Sequence, residues 1–240
     1  MNLIKNIYKI LFEKYGPQGW WPLLNLGNVQ SQSGSKSYGG YHPGNYELPL
    51  TEEQQFEIIA GAILTQNTSW NNVVKAILNL KQKKLLSVNN INKVNEKELA
   101  LLIRPSGYFN QKAKRLKNVA SFLISRQIKK LFAGKNLRAE LLSLNGIGPE
   151  TADSIMLYAA KKPIFVIDAY TKRIFARLGY NETGYDELQA LFMSSLEPDA
   201  AMFNEYHALI VELAKNHCRK KPICSSCPLA GLCSYNKSIS

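Results

Sequence analysis

The sequence predicts an all-α fold, on three features. Apolar residues recur at three- and four-residue spacing through most of the chain, the period of helices buried along one face. Gly, Pro, Ser and Asn punctuate these stretches as turns. One brief run, Ile164-Phe165-Val166-Ile167, reads as extended. The 240 residues can hold one large domain or two small ones, and 45% hydrophobic residues are enough for a core. A formal net charge of +12 points to a polyanionic partner. No secretory h-region and no run of about 18 apolar residues is present, so a cytoplasmic monomer without membrane contact is expected.

Residues 2–15 set Leu3, Ile4, Ile7, Tyr8, Ile10 and Leu11 against Lys5, Asn6, Lys9 and Glu13, an amphipathic helix stopped by Gly16-Pro17. Trp20-Trp21-Pro22 follows. Adjacent tryptophans cannot share one helical stripe; a hydrophobic plug between domains and a stacking surface for a base are both open, and composition favours the plug. Residues 25–46 read as a long loop, packed on the surface as an insertion, with Tyr38, Tyr41, Tyr46, Lys36 and His42 as alternative DNA contacts. Thr51 caps a helix through Phe56, Ile59, Ala60, Ile63 and Leu64. It ends near Thr65-Gln66-Asn67-Thr68, and a second helix runs from about 69 to 81, which puts Gln66 at an inter-helix corner. Residues 81–84 are a basic, solvated helix end. A short helix over 95–104 stops before Pro105. Gly107 ends the next turn, and Tyr108-Phe109 stand at its tip, one ring expected inward and one outward. Lys112, Lys114, Arg115 and Lys117 crowd the helix behind, a pattern suited to wedging at a base and contacting phosphate.

Helix 116–128 continues from that tip, and 137–144 leads into Leu144-Asn145-Gly146-Ile147-Gly148-Pro149-Glu150-Thr151-Ala152, a tight hairpin between two helices. Glycine permits positive φ and close backbone approach, and Pro149 suits a first helical position. The second helix spans 150–160, with free amides at its start that favour an anion such as phosphate. Asp168 follows the extended run and is placed to cap helix 169–178, which would keep its carboxylate ionised. Helices over 185–196 and 200–216 complete the set, and His207 on the last is read as packing or capping rather than catalytic. All four cysteines lie at or beyond residue 218. Cys218, Cys224, Cys227 and Cys233 form C-x5-C-x2-C-x5-C, a spacing that suits one metal centre, either an iron–sulfur cluster or tetrahedral zinc.

The hairpin, the spaced aspartate and the terminal cysteines, in this order, resemble the helix-hairpin-helix DNA glycosylases of the endonuclease III superfamily. The Trp-Trp-Pro run, the string around Gln66 and the segment from Arg104 to Arg115 are most similar to the 3-methyladenine DNA glycosylase III branch. The resemblance covers most of the chain outside 25–46. It implies a two-lobed fold. A helical barrel over 52–162 would carry Gln66 and the hairpin, and 1–51 with 163–240 would form a second lobe holding a [4Fe–4S] cluster, zinc being the minor alternative. It further implies that Asp168 is catalytic, that Gly146, Ile147 and Gly148 grip DNA backbone, and that Gln66 enters the duplex where a nucleotide has flipped. Tyr108 or Phe109 would prop open the base pair, with Lys112 on phosphate and the cysteine cluster presenting Arg219, Lys220 and Lys221 to the backbone. Trp20, Trp21, Pro22 and Trp70, with Glu150, would line a base pocket, which reverses the composition-based preference for a plug. The family's lyase lysine falls at Glu150, and a carboxylate cannot form an imine, so a monofunctional glycosylase acting on double-stranded DNA is expected. An alkylated purine is the favoured substrate. Uracil or mismatched thymine is the alternative, with a bifunctional lyase or a non-catalytic DNA-binding protein behind it.

Overall fold

The computed structural model describes residues 2–24 and 39–239, so Lys36 and Tyr38 lie outside the described residues. Thirteen α-helices are found there: α1 (Leu3–Tyr15), α2 (Glu52–Thr65), α3 (Trp70–Gln82), α4 (Val88–Lys93), α5 (Glu96–Leu102), α6 (Phe109–Arg126), α7 (Ile128–Ala133), α8 (Leu137–Leu142), α9 (Pro149–Ser154), α10 (Ala169–Leu178), α11 (Tyr185–Ser195), α12 (Ala200–Asn216) and α13 (Ser234–Ile239). The described residues contain no strand. The run at 164–167 is extended but unpaired, and the Gln189 side chain, rather than a neighbouring strand, donates to the Phe165 carbonyl at 2.7 Å. None of the described helices is long and apolar enough to cross a membrane.

Three helices depart from their expected limits. Residues 150–160 are not one α-helix: α9 stops at Ser154 and a π turn (Ile155–Ala159) follows. The Ser154 hydroxyl donates to the Glu150 carbonyl one turn back, a bond that bends helices. The helix expected over 95–104 ends at Leu102, and Pro105 sits in a separate 3₁₀ turn (Arg104–Ser106). The helix at the tip breaks at Gln127, whose φ of 61° turns the chain into α7.

The described residues divide into two units. One comprises 2–20, 42–46 and 162–239, with α1 and α10 packed on α12. Its core is aromatic: Phe165 stacks on Phe192 with centroids 3.8 Å apart, Phe203 and Tyr206 meet Phe165 edge-on, and the Tyr206 hydroxyl donates to the Ile4 carbonyl. Buried Glu205 accepts from the Gln18 amide and the Tyr46 hydroxyl, and buried His42 is engaged by the Asn45 carbonyl. The other unit comprises 21–24, 39–41 and 47–161 and is built on α2, which is buried without interruption from Phe56 to Leu64. Such a helix belongs inside a core, and α3, α6 and the π turn pack around it. Tyr41 is buried in this unit. Tyr41 and His42 are thus interior, and Tyr46 is half-buried and bonded.

Candidate active site and nucleic-acid interface

In the first unit, Asp168 is the N-cap of α10. Its Oδ1 accepts from the Thr171 amide at 2.7 Å and the Thr171 hydroxyl at 2.8 Å, while Oδ2 lies 3.7 Å from His207 Nε2. Burial pushes the carboxyl up, but nearby His207 and then the two Thr171 donors outweigh it, so Asp168 is held below its ordinary value. The result is a partly enclosed, fully oriented carboxylate.

Buried His207 belongs to this group, which the sequence reading missed; its only signal was three- and four-residue spacing on α12. Asn204, His207 and Lys215 lie on that helix and all meet Trp20. Asn204 donates to the Trp20 carbonyl at 2.7 Å. His207 stands edge-on to the Trp20 ring at 5.9 Å, and the Lys215 ammonium lies 5.8 Å from the ring centroid. Trp20 is half-buried, so its indole is wedged between these partners and solvent.

In the second unit the hairpin forms, and of its two glycines only Gly146 takes a conformation that needs glycine; Gly148 is extended, with φ −92°. Gly146 has φ 85°, and a Cβ there would lie 2.2 Å from the Arg115 side chain. Ile147 is buried and anchors the turn, leaving Gly148 and Pro149 exposed at the start of α9. Arg138 from α8 grips buried Asp153 of α9 through two hydrogen bonds of 2.7 and 3.1 Å, tying the two helices together. Glu150 is exposed on the first turn of α9.

Gln66, the C-cap of α2, is docked on the hairpin. Its Nε2 donates to the Gly146 carbonyl (3.0 Å) and the Thr151 hydroxyl (2.9 Å), and its Oε1 accepts from Arg115 Nη1. Neighbouring Asn67 is exposed with φ 53°. At the other tip Tyr108 is 66% exposed in the left-handed region, φ 45° and ψ 33°, and Phe109 is half-buried. A non-glycine residue there is strained, and such strain gathers at functional positions.

The expectation that Lys112 contacts phosphate is corrected. Lys112 is 1% exposed, and its ammonium donates to the carbonyls of Leu64 (2.8 Å) and Ser106 (2.6 Å). Its position on α6 faces the core, beside Ala113 and Leu116, so the lysine stem is buried and its head satisfies carbonyls at the ends of two elements. Lys117 similarly donates to the carbonyls of Asn92 and Val94. Of the four cations behind the tip, only Lys114 is fully exposed.

Trp21 and Pro22 are buried in this unit. The Trp21 ring meets Trp70 at 5.3 Å and 85° and Tyr158 at 5.2 Å. Gly61 makes room for it, since a Cβ there would stand 3.1 Å from the Trp21 indole nitrogen. Trp70, first residue of α3, is half-buried, and its indole N–H is buried without a hydrogen-bond acceptor among the described residues. Unmet buried donors are uncommon in native proteins.

At the C-terminus of the first unit the four cysteines are not joined by disulfides, and they line one cavity of about 20 Å³ with Arg177, His217 and Ile223. Arg177 Nη1 is 3.2 Å from Cys218 Sγ, and its guanidinium also donates to the carbonyls of Arg219 and Lys220. Burial pushes the Cys227 thiol up, as do the charges of the other three cysteines. Among the described residues no group of three or more His, Cys, Asp or Glu is gathered closely enough to grip a single metal ion. Arg219, Lys220 and Lys221 are exposed beside the cavity.

Residues 60–198 match the family described as HhH-GPD superfamily base excision DNA repair protein. Over 240 residues the chain is 46% identical to a protein of Methanocaldococcus jannaschii provisionally named a DNA repair glycosylase, covering 97% of this chain and 96% of that one. At 33% identity it is similar to the H. pylori 3-methyladenine DNA glycosylase solved with 1,N6-ethenoadenine, over 67% of this chain and 84% of that one, with a TM-score of 0.62. At 24% identity it shares the fold of endonuclease III in a non-covalent complex with DNA, over 77% and 85% of the two chains, with a TM-score of 0.67.

Proposed function

We infer that this chain, which belongs to the HhH-GPD superfamily of base excision DNA repair proteins, is a monofunctional DNA N-glycosylase that flips a damaged base from the duplex, releases it by hydrolysis and leaves an abasic site. The observation that carries the reading is Asp168, a carboxylate kept anionic by Thr171 and His207 despite its enclosure. As the C1′–N bond breaks, its electron pair leaves with the base and positive charge grows on the sugar. A fixed carboxylate stabilises that charge and orients the water whose oxygen bonds C1′. Glu150 stands where a lyase lysine would be, so no imine forms by that route.

For DNA contact we assign the backbone of Gly146, Ile147 and Gly148, the side chains of Gln66, Tyr108 and Phe109, and the cations Arg219, Lys220 and Lys221. The unit built on α2, which extends the expected 52–162 barrel by 21–24, 39–41 and 47–51 and ends at 161, and the discontinuous remainder are the lobes we assign to these tasks. For the base, the half-buried faces of Trp20 and Trp70 offer stacking surfaces, with Trp21 and Pro22 packed as support. An alkylated purine suits such faces, and the similarity to the H. pylori enzyme supports it. Uracil or mismatched thymine is a second reading, favoured by two observations. In the first unit the Lys215 ammonium beside Trp20 disfavours a cationic base against that ring, and in the second the Trp70 N–H, without an acceptor among the described residues, would suit a carbonyl oxygen.

The thiols of Cys218, Cys224, Cys227 and Cys233 suit a [4Fe–4S] cluster, with zinc the alternative. Four soft donors around one cavity, with a guanidinium against Cys218, fit thiolate ligation. When bound, the group would supply a cross-link of the C-terminal segment that presents Arg219–Lys221 cations to phosphate.

The test is base release from duplexes containing 3-methyladenine, uracil or a T·G mismatch, read with and without alkali, for wild type and Asp168→Asn. Asparagine caps a helix as well as aspartate does, so the variant should fold while base release falls by about 100-fold or more. Strand breaks without alkali would overturn the monofunctional assignment; an active Asp168→Asn would overturn the role of the carboxylate.

A further inference from the structure

We propose that Lys112 is a positioning residue: its buried ammonium bridges the carbonyls of Leu64 and Ser106, and so holds the corner at Gln66 and the tip at Tyr108 in register as one two-pronged probe of the duplex. This rests on the assignment of those two side chains to DNA.

Both bonded carbonyls sit at element ends. Leu64 is in the last turn of α2, two residues before Gln66, and Ser106 closes the 3₁₀ turn two residues before Tyr108. Carbonyls at such ends lack intrahelical donors. An ammonium has three donors and no acceptor, and here two of them reach separate elements at 2.8 and 2.6 Å. Each prong holds a non-glycine residue in the left-handed region: Asn67 at the corner has φ 53° and Tyr108 at the tip has φ 45°. Strained turns persist only where surrounding bonds over-determine them. Arg115, one turn along α6 from Lys112, holds the Gln66 amide, so a single helix face ties down both prongs.

A packing role alone does not account for the residue. A methionine would fill the same space without bringing a charge out of water. Neither of the bonds to the Lys112 ammonium comes from a carboxylate. Burial, and then the nearby Arg115 charge, push the group down to about 8. The fold carries this unfavourable burial, and what it obtains is a rigid link between two loops that are distant in sequence.

The experiment uses the full chain and a duplex with a tetrahydrofuran abasic-site analogue facing 2-aminopurine, whose fluorescence rises when the opposite base is unstacked. Wild type should raise the signal, and Gln66→Ala and Tyr108→Ala should each reduce it. Lys112→Met should fold, keep the salt dependence of duplex binding and lose at least half of the fluorescence rise. Lys112→Arg, which keeps charge and donors, should retain it. An unchanged rise in folded Lys112→Met overturns the proposal, as does a salt slope reduced by about one, the mark of a phosphate contact. If Lys112→Met does not fold, Lys112→Arg decides through the coupling between Gln66→Ala and Tyr108→Ala: non-additive losses as in wild type support the bridge, and additive losses overturn it. If Gln66→Ala and Tyr108→Ala both leave the rise intact, the assignment of the prongs to DNA falls, and the proposal with it.

Discussion

Asp168 shows how one side chain can serve the fold and the chemistry together. Its capping bonds to Thr171 add to the effect of His207 in keeping it ionised, so one carboxylate serves as cap and as charge. Because its folded value lies below its unfolded one, this contribution to stability is present above the unfolded pKa and is lost as pH falls through the folded value. Glu57 behaves oppositely. It is 2% exposed on α2, and its Oε1 accepts from the Leu24 amide while its Oε2 has no hydrogen-bond partner among the described residues. Burial raises it from 4.5 to about 7, against the lowering effects of the Leu24 amide and Lys81. The unfolded chain therefore releases this proton first, and stability should fall as pH rises from about 4.5 to 7, by up to about 3 kcal/mol. Urea unfolding of Glu57→Gln across that window should show the slope reduced. An unchanged slope would mean that Glu57 is not the group responsible.

At the scale of elements, the hairpin is stabilised by residues that are not part of its sequence motif. Gly146 needs positive φ, and its missing Cβ is the space through which Arg115 passes to reach Gln66. Gly146→Ala should cost about 1–3 kcal/mol from backbone strain, and should also weaken duplex binding, since Arg115 must move and Gln66 lose a partner. Urea unfolding and a binding isotherm on the same preparation check both. Loss of stability with unchanged binding would separate the hairpin from DNA contact. The motif residues were legible because glycine and proline have narrow uses in tight turns. Arg115, Thr151 and the Arg138–Asp153 pair were not, since nothing in their local spacing marks a contact made across the fold.

Across the whole chain, a charge of +12 makes salt the first variable in any binding experiment. Lys220 and Lys221 are exposed beside the cysteine cavity, and the double variant Lys220→Gln, Lys221→Gln should lower the slope of log affinity against log salt by about two. A slope equal to wild type would remove this segment from the interface. The cysteine cavity is tested by metal content: a purified chain carrying about four irons, with visible absorbance lost in Cys227→Ser, supports the cluster, and stoichiometric zinc supports the alternative. Removal of either group should lower the unfolding temperature and flatten the loss of affinity with salt, because cations no longer held against phosphate stop contributing to the slope.

What the sequence determined by itself was set by local chemistry: helical periods, caps such as Thr51 and Asp168, the glycine hairpin and the cysteine spacing, each a property of neighbours a few residues apart. Tertiary structure decided which charges face water. Lys112 and Lys114 look alike in sequence, yet one is locked on two carbonyls and the other is exposed. It also decided that His207, read as packing, stands beside Asp168 and Trp20. Helical periodicity says which side of a helix turns inward; only the packing of other elements against that side says whether a polar group there finds a carbonyl, a carboxylate or an aromatic ring.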